Sequence, residues 1–192
     1  MKKIIAIGGP PGSGKSTLMK HLMNKIVMNN TYYDKDRVSD IWFFYDDVKL
    51  VTYYKNCKNI YILGHYPEGE VFGGTDKLSM AVQPEAVKFI DSLPDDSVVL
   101  FEGDRLFNNS FLDYCSKFDL KIIILNTSKE EKQRRYKERG STQNEKWLQG
   151  RETKVNTIAS NFDLMDKIES FNHDVKEDTE TIAKHIMDLI NE

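Results

Sequence analysis

The chain has 192 residues and a mass of 22.3 kDa, enough for one domain of ordinary size, expected to span residues 1–192, and too little for a second independent core. With 40% apolar and 30% charged residues it is neither a collagen-like repeat nor a disordered polyelectrolyte, and a soluble globule is expected. Its 27 lysines and arginines against 30 aspartates and glutamates give a net charge of −3, which excludes a blanket of positive potential for gripping nucleic acid and leaves only local basic patches.

Lys3 to Ile7 is a short β-branched run with the brevity of a strand buried on both faces, and a glycine loop follows at once. From Lys15 onward Leu18, Leu22 and Ile26 recur at helical spacing, with Asn29-Asn30 as punctuation before Thr31. The stretch from Tyr32 to Lys58 mixes aromatics with Asp34, Asp36, Asp40, Asp46 and Asp47 and is read as helix with a break. Asn59 to Leu63 reads as a second strand, followed by a long glycine-bearing loop to Met80 and a helix from about Pro84 to Leu93, where proline suits a first turn. Ser97 to Phe101 is a third buried strand with Glu102-Gly103-Asp104-Arg105 at its carboxyl end, and Asp119 to Leu125 is a fourth. Ser128 with Glu131 forms a capping box for a helix to Gly140; further helices are expected over Glu152 to Phe162 and Thr179 to Ile190, with a short fifth strand near Lys167 to Phe171. Alternating strands and helices imply an α/β fold with a central parallel sheet of about five strands covered on both faces, and ligands in such folds bind beyond the carboxyl ends of the strands.

Eight of the 11 glycines lie in two loops, one holding Gly8, Gly9, Gly12 and Gly14 and the other Gly64, Gly69, Gly73 and Gly74, so backbone irregularity is concentrated where the chain would approach a ligand. Cys57 and Cys115 have no metal-ligand spacing and are too few for a disulfide framework, which fits a reducing cytoplasm. The apolar run Ile4 to Ile7 is too short for a membrane span or a signal peptide, so no membrane partner is expected.

Gly9-Pro10-Pro11-Gly12-Ser13-Gly14-Lys15-Ser16 satisfies the phosphate-loop pattern G-x-x-x-x-G-K-[ST], and it lies between a strand and a helix, the context the motif requires. Glycines let successive amides turn toward one anion, the helix start adds its positive end, Lys15 reaches the β and γ phosphates, and Ser16 can ligate Mg²⁺; Thr17 extends the motif. A P-loop NTPase or kinase fold binding ATP and Mg²⁺ is therefore expected. A GTPase switch would carry N-K-x-D, where this chain has Asn126-Thr127-Ser128-Lys129, and a motor or transporter ATPase would need a longer chain. A compact phosphotransferase is favoured.

Such a kinase needs acidic groups near metal and acceptor, cations for the acceptor, and a mobile basic lid that excludes water. Glu102 could hold Mg²⁺ through water, activate the acceptor hydroxyl, or both; Asp104 is the next candidate and Arg105 could clamp the acceptor, against the plainer reading of an acidic strand end pairing its arginine. Asp76, in Gly73-Gly74-Thr75-Asp76, could be the catalytic base, an acceptor contact or an Asx-turn carboxylate. Residues 129–154 hold nine lysines and arginines against five acids, a net +4 on a chain that is otherwise −7, which suits a lid carrying Arg135 and Arg139 on one helical face, or else a solvated helix with i,i+4 pairs. Trp42, Phe43, Phe44 and Tyr45 could stack on a nucleobase or simply fill the core. The four histidines show no metal-ligand pattern.

The opening residues through Gly12-Ser13-Gly14-Lys15-Ser16-Thr17, with Asp34 and Asp36 downstream, resemble the kinase part of phage polynucleotide kinases, a likeness that implies an aspartate base near Asp36. Gly73-Gly74-Thr75-Asp76-Lys77-Leu78-Ser79-Met80, Phe101-Glu102-Gly103-Asp104-Arg105-Leu106-Phe107 and Gly150-Arg151-Glu152-Thr153-Lys154 more closely resemble phage P-loop kinases of thymidine hypermodification. That resemblance implies transfer of the ATP γ-phosphate to the hydroxymethyl group of 5-hydroxymethyluracil in DNA, with the base taken out of the duplex and a carboxylate among Asp36, Asp76, Glu102 and Asp104 accepting the proton. The alternatives are a nucleoside or nucleoside monophosphate kinase and a nucleotide-gated interaction module.

Overall fold

A computed structural model describes residues 1–28, 43–56, 58–67, 70, 73–138, 140 and 143–192. The sequence expectations for Asp34, Asp36, Trp42, Cys57 and Arg139 lie outside the described residues. The elements run β1 (Lys3–Gly8), α1 (Lys15–Met28), β2 (Phe43–Val48), β3 (Val51–Lys55), β4 (Ile60–Leu63), α2 (Val82–Ser92), β5 (Val98–Glu102), α3 (Asn109–Cys115), β6 (Asp119–Asn126), α4 (Lys129–Glu138), α5 (Glu145–Ala159), β7 (Ile168–Asn172) and α6 (Lys176–Asn191).

The strands form one sheet in the order β2-β3-β4-β5-β1-β6-β7. The five from β4 to β7 are parallel, as the alternation of strands and helices implies, and a hairpin of β2 and β3 adds two antiparallel strands at one edge. β1 is central because its residues suit burial on both faces. Ile4 and Ala6 join the apolar layer that includes Ala86, Phe89 and Ile90 of α2, Phe111 of α3 and Ile158 of α5, while Ile5 and Ile7 join the layer made with Leu18 and Leu22 of α1 and Ile182 and Ile186 of α6. β1 and β5 are parallel neighbours, so their carboxyl ends lie side by side, with Ile7 level with Glu102. That register sets the P-loop next to the acidic strand end.

The helix-with-a-break expectation for Tyr32 to Lys58 fails over 43–55, which is a hairpin. The deciding period there is two, not 3.6: Val51 and Tyr53 are buried while Thr52 and Tyr54 are half-buried. Cross-strand rings hold the pairing, Tyr45 against Tyr53 at 5.0 Å and Phe44 against Tyr54 at 5.1 Å, and the chain reverses at Lys49-Leu50 with Leu50 at φ 61°. Asp46 and Asp47 beside the turn mask the strand pattern.

Helix α3 has no counterpart in the sequence expectations. Asn108 caps it, accepting from the Phe111 amide at 3.0 Å, and Phe111, Leu112 and Cys115 are buried beneath it. α5 begins at Glu145, seven residues ahead of the expected start, because the Asn144 side chain accepts from the Trp147 amide at 2.8 Å and the helix passes through Gly150. At α4 half of the capping box forms: Ser128 Oγ accepts from the Glu131 amide at 3.3 Å, but the Ser128 amide donates to Asp174 and Glu131 turns to Arg134 and Arg135. Among the described residues no helix is long and apolar enough to cross a membrane.

Candidate active site

The P-loop is built by sending its carbonyls outward. Lys15 Nζ donates to Gly9 O (2.8 Å) and Pro10 O (3.1 Å), the Tyr136 hydroxyl to Pro11 O (2.6 Å), Arg135 Nη1 to Gly12 O (3.0 Å), and His173 Nδ1 to Ser13 O (2.5 Å). Five successive carbonyls are thereby occupied, and the amides at the start of α1, which have no acceptor within the helix, are left for an anion. A carbonyl only accepts, so His173 carries its proton on Nδ1 and its Nε2 accepts from the Thr179 hydroxyl at 2.8 Å. Burial above all holds its pKa below the ordinary histidine value, keeping the ring neutral. Gly14 is irreplaceable by geometry: its φ is +88°, and a Cβ there would lie 2.4 Å from His173 Cε1.

The second glycine loop docks on the end of β5. His65 and Gly74 exchange backbone hydrogen bonds at 3.1 and 2.9 Å, and Thr75 Oγ1 donates to Glu102 O at 2.9 Å. Gly74, at φ +82°, lies so close that a Cβ would stand 2.2 Å from Glu102 Oε1. This contact sets the Glu102 carboxylate, which is 1% exposed and accepts from Ser16 Oγ at 2.8 Å. Burial pushes Glu102 up to about 7; the Lys15 charge and the Ser16 hydroxyl oppose that rise and the Asp76 charge adds to it. Asp76 is also raised, by burial first and then by Asp104, although its Oδ1 accepts from the Asp104 amide at 2.7 Å. The buried Tyr66 hydroxyl is held well above the ordinary tyrosine value by burial and then by the charge of Glu102.

A cavity of about 470 Å³ joins the two halves. Gly9, Pro11, Gly12, Gly14, Lys15 and Ser16 form one wall; Gly73, Asp76, Lys77, Glu102, Asp104 and Arg105 form the other; Tyr136, Gln143, Trp147 and Arg151 border it from the α4–α5 segment. Of the residues singled out from sequence, Asp76, Glu102, Asp104 and Arg105 thus share the cavity with the P-loop. Pro10 holds Lys15 through its carbonyl, Ser13 holds His173, and Thr17 follows Ser16 on α1 as an exposed residue that does not border the cavity. Arg135 spends its guanidinium on Gly12 O, His173 O, Asp174 O and Glu131, so it grips the back of the loop. Asp104 is paired with Arg151 (3.1 Å) and Lys154 (3.5 Å), and Lys154 also donates to Asp104 O at 3.0 Å.

Sequence reasoning missed Tyr66, Tyr136, Gln143, Trp147 and His173. Only Trp147 carries a signal, as a large aromatic inside a strongly charged segment. The others are placed by contacts between elements distant in sequence. Of the aromatics proposed for stacking, Phe44 packs on His65 at 5.0 Å and Tyr45 on Tyr53, so both belong to the hairpin rather than to the cavity. Among the described residues no group of three or more histidines, cysteines, aspartates or glutamates is placed to hold a metal ion without other ligands.

This sheet order, with a phosphate loop at the end of its central strand, is that of the P-loop kinases, which are phosphotransferases. The chain matches the sequence model of the family described as P-loop Nucleotide Kinase3 over residues 1–175 and belongs to that family. No curated protein matches it in sequence. Among solved structures, deoxyadenosine kinase from M. mycoides with bound dATP is similar in fold, with a TM-score of 0.52 at 16% identity over 100% of both chains. A gluconokinase from Sinorhizobium meliloti 1021 (TM-score 0.45, 12% identity, 96% of this chain and 95% of that one) and a shikimate kinase from Bacteroides thetaiotaomicron (TM-score 0.40, 15% identity, 99% of each) also match.

Proposed function

We propose that the chain transfers the γ-phosphoryl group of ATP, with Mg²⁺, to the hydroxymethyl group of 5-hydroxymethyluracil in DNA. The observation that supports phosphoryl transfer is the cavity in which the P-loop faces Asp76, Glu102 and Arg105, and the acceptor follows from the resemblance of residues 73–80, 101–107 and 150–154 to phage P-loop kinases of thymidine hypermodification. The acceptor oxygen bonds to the γ-phosphorus as the bond to the bridging β–γ oxygen breaks; the hydroxyl proton passes to Asp76, and ADP leaves. Asp76 suits the base role because it borders the cavity and burial raises its proton affinity. Glu102 and Ser16 fit Mg²⁺, since a carboxylate and a hydroxyl oxygen are hard donors already 2.8 Å apart. When bound, the ion neutralises charge on the phosphate oxygens. Lys15, now on the loop carbonyls, occupies the place where the phosphates would replace Gly9 O and Pro10 O as its partners. Among the described residues Arg105 makes one hydrogen bond, to Leu78 O at 3.4 Å, which leaves guanidinium nitrogens for the acceptor or the transferring group. The 129–154 segment, α4 and the first part of α5, serves as the lid over this cavity.

A free nucleoside or nucleoside monophosphate is the second acceptor, favoured by a specific observation. Lys132 pairs with Glu152, Arg134 with Glu131 and Glu138, Arg135 with Glu131, and Arg151 and Lys154 with Asp104, so five of the segment's nine cations are already engaged within the protein and fewer are left to track a DNA backbone. Labelled ATP offered with 5-hydroxymethyluracil DNA, ordinary DNA, nucleosides and monophosphates decides. Label in the modified DNA alone supports the first reading. Label only in free nucleotides replaces it with the second, and no transfer to any acceptor rejects both in favour of a nucleotide-gated module.

A further inference from the structure

We infer that Trp147 is the surface on which the planar base of the acceptor stacks, with the Gln143 amide reading the edge of that base. This rests on the proposed nucleobase-bearing acceptor and names the part of the cavity that recognises it.

Two aromatic side chains from the α4–α5 segment border the cavity, and their contacts tie them to different walls. Tyr136 is bound to Pro11 O and so belongs to the phosphate loop. Trp147 is tied to the acceptor carboxylates by a chain of three contacts. The Arg151 guanidinium lies 5.0 Å from the Trp147 ring centroid, Arg151 Nη1 is 3.1 Å from Asp104 Oδ2, and the Asp104 amide donates to Asp76 Oδ1 at 2.7 Å. The ring is held at its backbone as well, through the Asn144 cap on the Trp147 amide.

Despite this anchoring Trp147 stays 37% exposed, and no other ring contact engages it among the described residues. A partly uncovered indole, held by Arg151 and by its capped amide and bordering the same cavity as Asp76, suits a flat ligand, and stacking of a base on an aromatic ring is sequence-tolerant because every base has a π-face. Gln143 offers one acceptor and two donors at the same border, the complement of a base edge with adjacent carbonyl and N–H groups. Arg151, fixed by Asp104 and packed on the indole, supports the ring from one side and is not available as a free phosphate clamp.

The test separates binding from transfer. Titration calorimetry with 5-hydroxymethyl-2′-deoxyuridine in the absence of ATP should show binding to the unmodified chain, a loss of about 10- to 100-fold in Trp147→Ala, and a loss of only a few-fold in Trp147→Phe, which keeps a ring. In transfer assays Trp147→Ala should raise KM for the acceptor by a similar factor with ATP affinity unchanged. Equal nucleoside affinity in the alanine variant, no nucleoside binding to the unmodified chain, or a loss of ATP affinity with the acceptor unaffected would each overturn the inference. Trp147-dependent nucleoside binding without phosphoryl transfer would instead sink the proposed function and leave the stacking site standing.

Discussion

The two walls of the cavity are made in different ways. The phosphate wall is one continuous segment of eight residues, Gly9 to Ser16, whose carbonyls are engaged by its own Lys15 and, from elsewhere in the chain, by Tyr136, Arg135 and His173. The wall that we propose holds the acceptor is assembled from separate pieces: the glycine loop, the end of β5 and the first turns of α5, joined by Gly74 against Glu102, Asp76 against Asp104, and Asp104 against Arg151 and Lys154. A loop that must meet the same triphosphate tail in every turnover can be encoded locally. A wall shaped to one acceptor draws its residues from wherever the fold brings them together.

Substitutions at each wall test this contrast, and the largest effect is expected at the phosphate wall. Lys15→Ala should reduce transfer by about 10²- to 10³-fold or more while leaving the circular dichroism spectrum and the cooperative melt unchanged. Full activity in that variant would reject the P-loop assignment. Gly74→Ala should come next, because it combines a backbone at φ +82° with a Cβ 2.2 Å from Glu102 Oε1. A stability loss of about 1–3 kcal/mol by denaturant melts and a fall in kcat with ATP affinity nearly kept are expected. A variant with normal kcat would show that the loop does not set Glu102.

Asp104→Asn should act on the acceptor wall alone. It removes the carboxylate charge that pairs with Arg151 and Lys154 just beyond β5, so KM for the acceptor should rise about 10-fold while the affinity for ATP, measured by equilibrium titration, stays within about twofold. Equal losses for both substrates would mean the two walls are not separable.

The last effect touches stability and not turnover, a pH dependence in the chain without nucleotide or metal. Glu102 has a folded-state value of about 7 against an ordinary 4.5, so the folded state favours its protonated form. Its contribution is most favourable below pH 4.5 and is lost as pH rises from 4.5 through 7. Glu102→Gln removes that decline, so it should be more stable than the unmodified chain by up to about 3 kcal/mol at pH 8.5 and equal to it near pH 4.5. Added Mg²⁺ should raise the unmodified chain alone and narrow the gap. A difference independent of pH would contradict the assignment of the buried charge.

What the sequence made legible follows the same division. The five parallel strands and the P-loop are each short and local, so β-branched runs and glycine spacing reveal them. Asp76, Glu102, Asp104 and Arg105 were legible because three lie at a strand's carboxyl end and one in a glycine turn. The hairpin at 43–55 was hidden because Asp46 and Asp47 interrupt its alternation near the turn, and α3 was hidden because seven residues carry too short a period to read. His173 and Tyr136 bind the P-loop across 160 and 125 residues of sequence, a distance at which no local pattern survives. Arg135 stands out in the sequence by its charge, which suits a phosphate, but its contacts turn it to the back of the loop.

The most direct measurement is calorimetric titration of Mg·ATP into the unmodified chain and into Lys15→Ala. Binding in the first with a one-to-one stoichiometry, lost by at least about tenfold in the second, is the expected result. A flat titration for the unmodified chain with ATP and with every other nucleoside triphosphate would contradict the account at its base.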